Sequence, residues 1–188
     1  MLLATKGTRV LNFIRRNFNY CSKTVNERLY QTLVRPHLEY ASTAWHPGTA
    51  KNTNMLDMVQ RRAARFVMGD YIRESSVTSM MSQLGWTPLE ERRKNLRLTS
   101  FYKIVHGELH LDLSQYATKK ITRLRRCHDE QYDVTSRTIS TTQLANSFFP
   151  DVISNWNNLP KDIVKLKSTD GFRTRLNMPE SLQKRIAK

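Results

Sequence analysis

Acidic residues are scarce in this chain, 16 Asp and Glu against 31 Lys and Arg, so its 188 residues carry a formal charge of +15. That imbalance exceeds what folding needs and points to a polyanionic partner, with nucleic acid the leading class; the competing reading is a well-solvated basic surface. Cysteine is nearly absent: Cys21 and Cys127 stand far apart with no CxxC spacing. This excludes a disulfide framework or structural zinc site and fits a reducing compartment, so the expected location is intracellular, nuclear or cytoplasmic. No apolar run approaches the roughly 20 residues of a bilayer span, and Lys6 falls where a secretory signal needs its apolar stretch. No membrane association is expected. There is also no Gly-x-Ser-x-Gly elbow and no Gly-rich phosphate loop, so hydrolase chemistry, nucleotide cofactors and a small-molecule substrate have no support.

One stretch lacks acids altogether. Before Glu27 the chain carries Lys6, Arg9, Arg15, Arg16 and Lys23, with Leu3, Val10, Leu11 and Ile14 able to line one helical face. Such a composition suits a mitochondrial presequence. The competing account, which takes the same residues as the first helices of a folded domain, is the favoured one, with mitochondrial import the minor alternative.

Helix signals follow in series. Ser22 or Thr24 precedes Val25, Leu29, Leu33 and Tyr40, which fall on one face, and Pro36 is expected to kink or break that helix before His37. Trp45-His46-Pro47-Gly48 reads as a turn. Asn52 or Thr53 can cap a helix whose Leu56, Val59, Ala63, Phe66 and Val67 share a face, with Gly69 as its stop. A shorter helix starts at Ser75 or Ser76 and ends at Gly85. Thr87-Pro88-Leu89-Glu90 is a capping box opening a long helix toward His106, apolar on two sides and therefore set between neighbours.

Beyond Gly107 the helical period fades. Residues 119–126 read as a basic loop, and 132–144, with Val134 and Ile139, as one or two short strands. Phe148, Phe149, Val152, Ile153 and Trp156 form an aromatic cluster around Pro150, and Ser168 or Thr169 starts a last helix with Phe172 and Leu176 before a basic tail. The expected fold class is mainly α: a basic helical bundle over residues 1–110, and a smaller C-terminal lobe over 111–188 containing loops, one or two short strands and a final helix.

Four blocks carry a more specific signal: LVRPHLEYASTAW (Leu33 to Trp45), MLDMVQRRAARFV (Met55 to Val67), LGWTPLEERRKNLRLTSFYKIVHG (Leu84 to Gly107) and NSFFPDVISNWNNLP (Asn146 to Pro160). In this order and spacing, from about Leu2 to Met178, the chain resembles the segment that follows the polymerase palm in LINE-type, jockey-like non-LTR retrotransposon reverse transcriptases. The resemblance implies thumb-like helices that lie against template and primer, behind a catalytic palm. It also implies a parent protein with an upstream endonuclease and palm. A chain of this kind is the expected remnant of an element copied from its 3′ end and shortened at its 5′ end, with Met1 as the first available start.

Polymerases of that class hold two metal ions with carboxylates that include an adjacent aspartate pair, and no Asp-Asp pair occurs here. Asp129-Glu130 is the nearest imitation but lies in a hydrophilic stretch without flanking apolar strands. His106 and His110, with Cys127-His128, could be imagined as metal ligands, yet Gly107 separates the two histidines and the set is scattered. The expectation is no catalytic residue, no metal and no cofactor. The basic groups are the candidates instead: Arg61, Arg62 and Arg65 on one helix; Arg92, Arg93, Lys94 and Arg97 on another; and Lys119, Lys120, Arg123, Arg125 and Arg126 in the loop. Gathered on one side, they would bind RNA or DNA through its phosphate backbone without sequence readout. The competing account pairs some of them with Glu90 and Glu91 and leaves the rest solvated. Trp45, Trp86 and Trp156 read as core or helix-junction residues rather than base platforms.

The functional expectation is a noncatalytic nucleic-acid-binding piece of a retroelement polymerase. The alternative is a helical protein-interaction module whose faces once packed on the palm, with a separate palm-bearing polymerase chain as one partner.

Overall fold

The computed structural model describes residues 2–18, 20–44, 49–120, 128–135 and 147–178. It is mainly helical, with a small two-stranded antiparallel sheet and a helix near the C-terminus. Two compact units divide the chain: Met1–Ala41 with Pro47–Arg93, and Ser42–His46 with Lys94–Lys188. Loss of helical period places a division at residue 110. Compactness divides the chain inside its long helix instead, because that helix contributes its later turns to the second core. Among the described residues no helix is long and apolar enough to cross a membrane.

In the first unit, α1 (Leu2–Asn17) buries Ala4, Gly7, Leu11 and Ile14, a three-to-four spacing that makes one helical stripe. Gly7 permits close helix approach: a Cβ there would stand 2.7 Å from Leu38 Cδ2. α2 (Lys23–Leu29) is capped by Ser22, whose hydroxyl accepts from the Val25 amide at 3.4 Å. It runs through a π turn, Tyr30–Val34, into α3 (Arg35–Glu39). Of the kink or break expected before His37, the break does not occur: the chain stays helical through Pro36, with a π turn as the local distortion. Proline cannot donate to the carbonyl four residues back and crowds it, and the chain responds by widening the preceding turn so that the Arg35 amide reaches Tyr30 O. The buried row is Asn26, Tyr30, Val34 and Leu38, whereas Val25, Leu33 and Tyr40 are exposed.

α4 (Ala50–Met68) begins at Thr49, whose hydroxyl accepts from the Asn52 amide at 3.4 Å. Asn52 and Thr53 are therefore inside the helix. It ends at Gly69, whose left-handed φ of 67° favours glycine. α5 (Val77–Gln83), capped by Ser76, sets Met80 into the core beside α4.

The long helix, α6 (Leu89–Val105), spans both units. Its first amide is held from outside. Gln60 of α4 accepts from Leu89 N at 3.1 Å through Oε1 and donates to Thr87 O at 3.0 Å through Nε2. This side chain, 2% exposed, does the work expected of the Thr87 cap.

In the second unit, β1 (Ala117–Lys120) pairs with β2 (Gln131–Val134), Ala117 opposite Val134 and Lys120 opposite Gln131. Lys119 and Lys120 thus lie on a strand and not in the expected loop. α7 (Phe148–Asn157) carries Pro150 in its first turn, where no intrahelical donor is lost. α8 (Lys161–Val164) and α9 (Thr169–Leu176) complete the unit. The core gathers Leu98, Phe101, Tyr102, Val152, Ile153, Trp156, Ile163, Val164 and Phe172. Trp156, fully buried, donates through Nε1 to Glu130 O at 2.8 Å. The Asn157 amide brackets Tyr132, accepting from its N–H at 3.1 Å and donating to its carbonyl at 2.8 Å. The NWNNLP block is thus what fixes the sheet to α7. Expectations that fall on residues 45–48, 121–127, 136–146 and 179–188, including Trp45, Ile139 and most of the basic tail, lie outside the described residues.

Candidate nucleic-acid interface

The twelve basic side chains singled out in the sequence divide sharply. Arg93 and Arg97, expected to reach phosphate, are 1% and 2% exposed. Arg93 donates to Leu38 O. Arg97 donates to Ser42 O at 3.0 Å and Ser147 O at 3.2 Å, and pairs with Asp151 Oδ2 at 3.0 Å. Burial pulls its pKa below the ordinary value, and Asp151 offsets part of that pull. Both arginines are corrected to structural ties. Their position was legible in principle, since Leu89, Arg93, Arg97 and Phe101 are spaced by four and fall on one helical stripe.

Arg65 is likewise corrected, because its guanidinium donates to Ile72 O at 2.7 Å and Ser75 O at 3.2 Å and so holds the turn after α4. Arg92 pairs with Glu39. Lys120 pairs with Asp133 at 3.3 Å, both exposed. Arg61, Arg62, Lys94 and Lys119 are exposed. Arg61 and Arg62 belong to the first unit, Lys94 and Lys119 to the second. Arg123, Arg125 and Arg126 lie outside the described residues.

A different set of cations is brought together, and only Arg62 belongs to both. Ala4, Thr5, Thr8 and Arg9 of α1 face Met55, Met58 and Arg62 of α4 across a cleft of about 300 Å³. Farther along, Asn12, Arg15 and Arg16 face the end of α4, Phe66 to Gly69, across an open cleft of about 780 Å³ that Lys23, Asn26 and Tyr71 also line. Early residues of α1 meet early residues of α4 and late meet late, so the two helices run in the same direction with a groove between them. Arg9 and Arg62 stand along it, and Arg15, Arg16 and Lys23 stand at its far end. All five are exposed, and neither cleft is lined by a carboxylate. The adjacent Asp70 carboxyl accepts from the Ile72 amide at 2.9 Å, and its bonds to Ser75 and Ile72 hold its pKa below the usual carboxylate range.

Two features of the wider end are not simply cationic. The Arg15 guanidinium carbon lies 5.3 Å from the ring centroid of Tyr71, which is 56% exposed. Asn26 is 6% exposed; its Nδ2 donates to Cys21 O at 3.3 Å, which orients the amide, and its Oδ1 has no hydrogen-bond partner. An orphaned buried acceptor costs about 1–3 kcal/mol. The sequence signal for this end of the groove was the acid-free stretch before Glu27.

Elsewhere the chemistry is plain. Among the described residues no three His, Cys, Asp or Glu side chains gather as metal ligands. His106 stacks on Tyr102 at 3.9 Å beyond the end of α6, and His128 is buried with Nε2 3.0 Å from Trp156 O. Asp129 pairs with Lys161 at 3.3 Å. No protein-family model, curated protein or solved structure matches this chain.

Proposed function

We propose that the chain is a noncatalytic nucleic-acid-binding module, corresponding by resemblance to the thumb-like, post-palm region of a LINE-type non-LTR reverse transcriptase. The observation that carries this reading is the groove between α1 and α4, where Arg9, Arg62, Arg15, Arg16 and Lys23 stand exposed with no carboxylate in the lining. Guanidinium forks along a groove suit phosphate oxygens, and backbone contacts of that kind bind RNA or DNA with little regard to sequence. Arg93 and Arg65 support the same unit indirectly, by holding Leu38 O and the turn after α4.

The test is recovery of nucleic acid with the chain from cells that make it, abolished by ribonuclease if RNA is the ligand. Purified chain given primed RNA template, deoxynucleotides and magnesium or manganese should extend nothing, since its sequence has no adjacent aspartates. Heat-labile extension that survives further purification would sink the noncatalytic reading.

A second reading, a protein-interaction module derived from a retroelement, is favoured by one observation. Val25, Leu33 and Tyr40 along α2 to α3 are 44%, 43% and 69% exposed. A palm-bearing polymerase chain is the partner this reading implies. Capture of such a chain that is lost in Leu33→Glu and kept when the groove arginines are neutralised would favour it.

A further inference from the structure

The wide end of the groove has more chemistry than a phosphate needs. Arg15, Arg16 and Lys23 supply positive charge at its rim, but the floor is apolar, with Phe66 and Val67 6% and 3% exposed. Its volume of about 780 Å³ lies within the roughly 300–1,000 Å³ range of clefts that take small molecules. Tyr71 adds an exposed ring already backed by a guanidinium. A simple anion could use the cations alone. It would leave the ring and the apolar floor unused.

A ligand that uses the cations, the ring and the apolar floor has a phosphate and a planar ring in one unit. A nucleotide is that unit. In a duplex the ring faces are stacked on one another, so they could not reach Tyr71. We propose that this cleft takes one unpaired nucleotide of a nucleic-acid strand, its phosphate on Arg15, Arg16 and Lys23 and its base against Tyr71. The inference rests on the nucleic-acid reading above and deepens it, adding a preference for unpaired over paired strands.

The test is fluorescence anisotropy with the full chain and one labelled oligonucleotide, single-stranded or annealed as a blunt duplex, at fixed salt. The wild-type chain should bind the single strand about tenfold more tightly than the duplex. Tyr71→Ala, a change at an exposed side chain, should lower single-strand affinity by about 5- to 100-fold, the range of one lost base stack, and leave duplex affinity unchanged. Tyr71→Phe, which keeps the ring, should retain single-strand affinity. Equal wild-type affinity for both strands, unchanged by Tyr71→Ala, overturns the cleft assignment and leaves the groove reading standing. If the wild-type chain binds neither, both readings fail together.

Discussion

Arg97 Nη2 lies 3.0 Å from Asp151 Oδ2, 54 positions apart in sequence by subtraction, and the same guanidinium donates to the carbonyls of Ser42 and Ser147. One side chain, 2% exposed, thereby joins α6, the segment at Ser42 and the first turn of α7. Arg97→Met should destabilise the second unit by about 3 kcal/mol, because it strands buried carbonyls and one partly exposed carboxylate. Chemical denaturation measures this. A neutral Arg97→Met would return the residue to the surface.

The start of α6 gives a paired test. Gln60 holds both Leu89 N and Thr87 O, so Gln60→Ala should cost about 2 kcal/mol, whereas Thr87→Ala should stay within about 0.5 kcal/mol. A Thr87 effect near 1 kcal/mol with a silent Gln60 would restore the threonine cap expected from the sequence.

Trp156 has no exposed surface and packs edge-on to Phe101 at 5.2 Å. Its replacement by alanine should cost about 3–5 kcal/mol in thermal or denaturant unfolding. A neutral result would make the NSFFPDVISNWNNLP block a contact surface.

Burial pushes the Tyr30 phenol far above its ordinary value, and its hydroxyl has no hydrogen-bond partner. With the folded pKa raised, the stabilising contribution is complete below about pH 10, where the unfolded tyrosine titrates. Above that the unfolded state binds fewer protons than the folded one, so stability falls as pH rises. Tyr30→Phe should leave neutral-pH stability nearly unchanged and flatten the alkaline limb by up to about 1.4 kcal/mol per pH unit. Burial also raises Tyr102 and Tyr132, so some slope should remain. An unchanged limb would place Tyr30 outside the core.

Much of this fold is legible in the sequence because local rules and packing agree. Gly69 stops α4, Ser76 caps α5, and the apolar row Leu56, Val59, Ala63 and Val67 is buried as its period requires. The failures have definite causes. Pro36 reads as a kink or a break because its own restriction is local, whereas the compensating π turn is made by Tyr30 and Arg35 and changes which face is buried. Asn52 and Thr53 read as caps because they sit just before the apolar row, but the helix begins a turn before its buried face. Charge is the more misleading signal. Arg93 and Arg97 read as surface cations although they stand in register with Leu89 and Phe101, and only tertiary carbonyls make their burial tolerable. Of the α4 arginines singled out in the sequence, Arg62 is the one that borders the groove with α1, one turn on from Met58. The α1 cations are visible as an acid-free run, but which helix they face is not.

If the groove between α1 and α4 carries phosphate, its cations set the salt dependence of duplex binding. Arg9, Arg15, Arg16 and Arg62 changed together to Gln should weaken all sequences about equally and reduce the slope of log affinity against log salt by about 0.9 for each phosphate no longer neutralised. Arg65→Gln should leave that slope unchanged, because its guanidinium is spent on Ile72 O and Ser75 O. The quadruple variant should show a shallower slope at unchanged fold. A quadruple variant with the wild-type slope would contradict it.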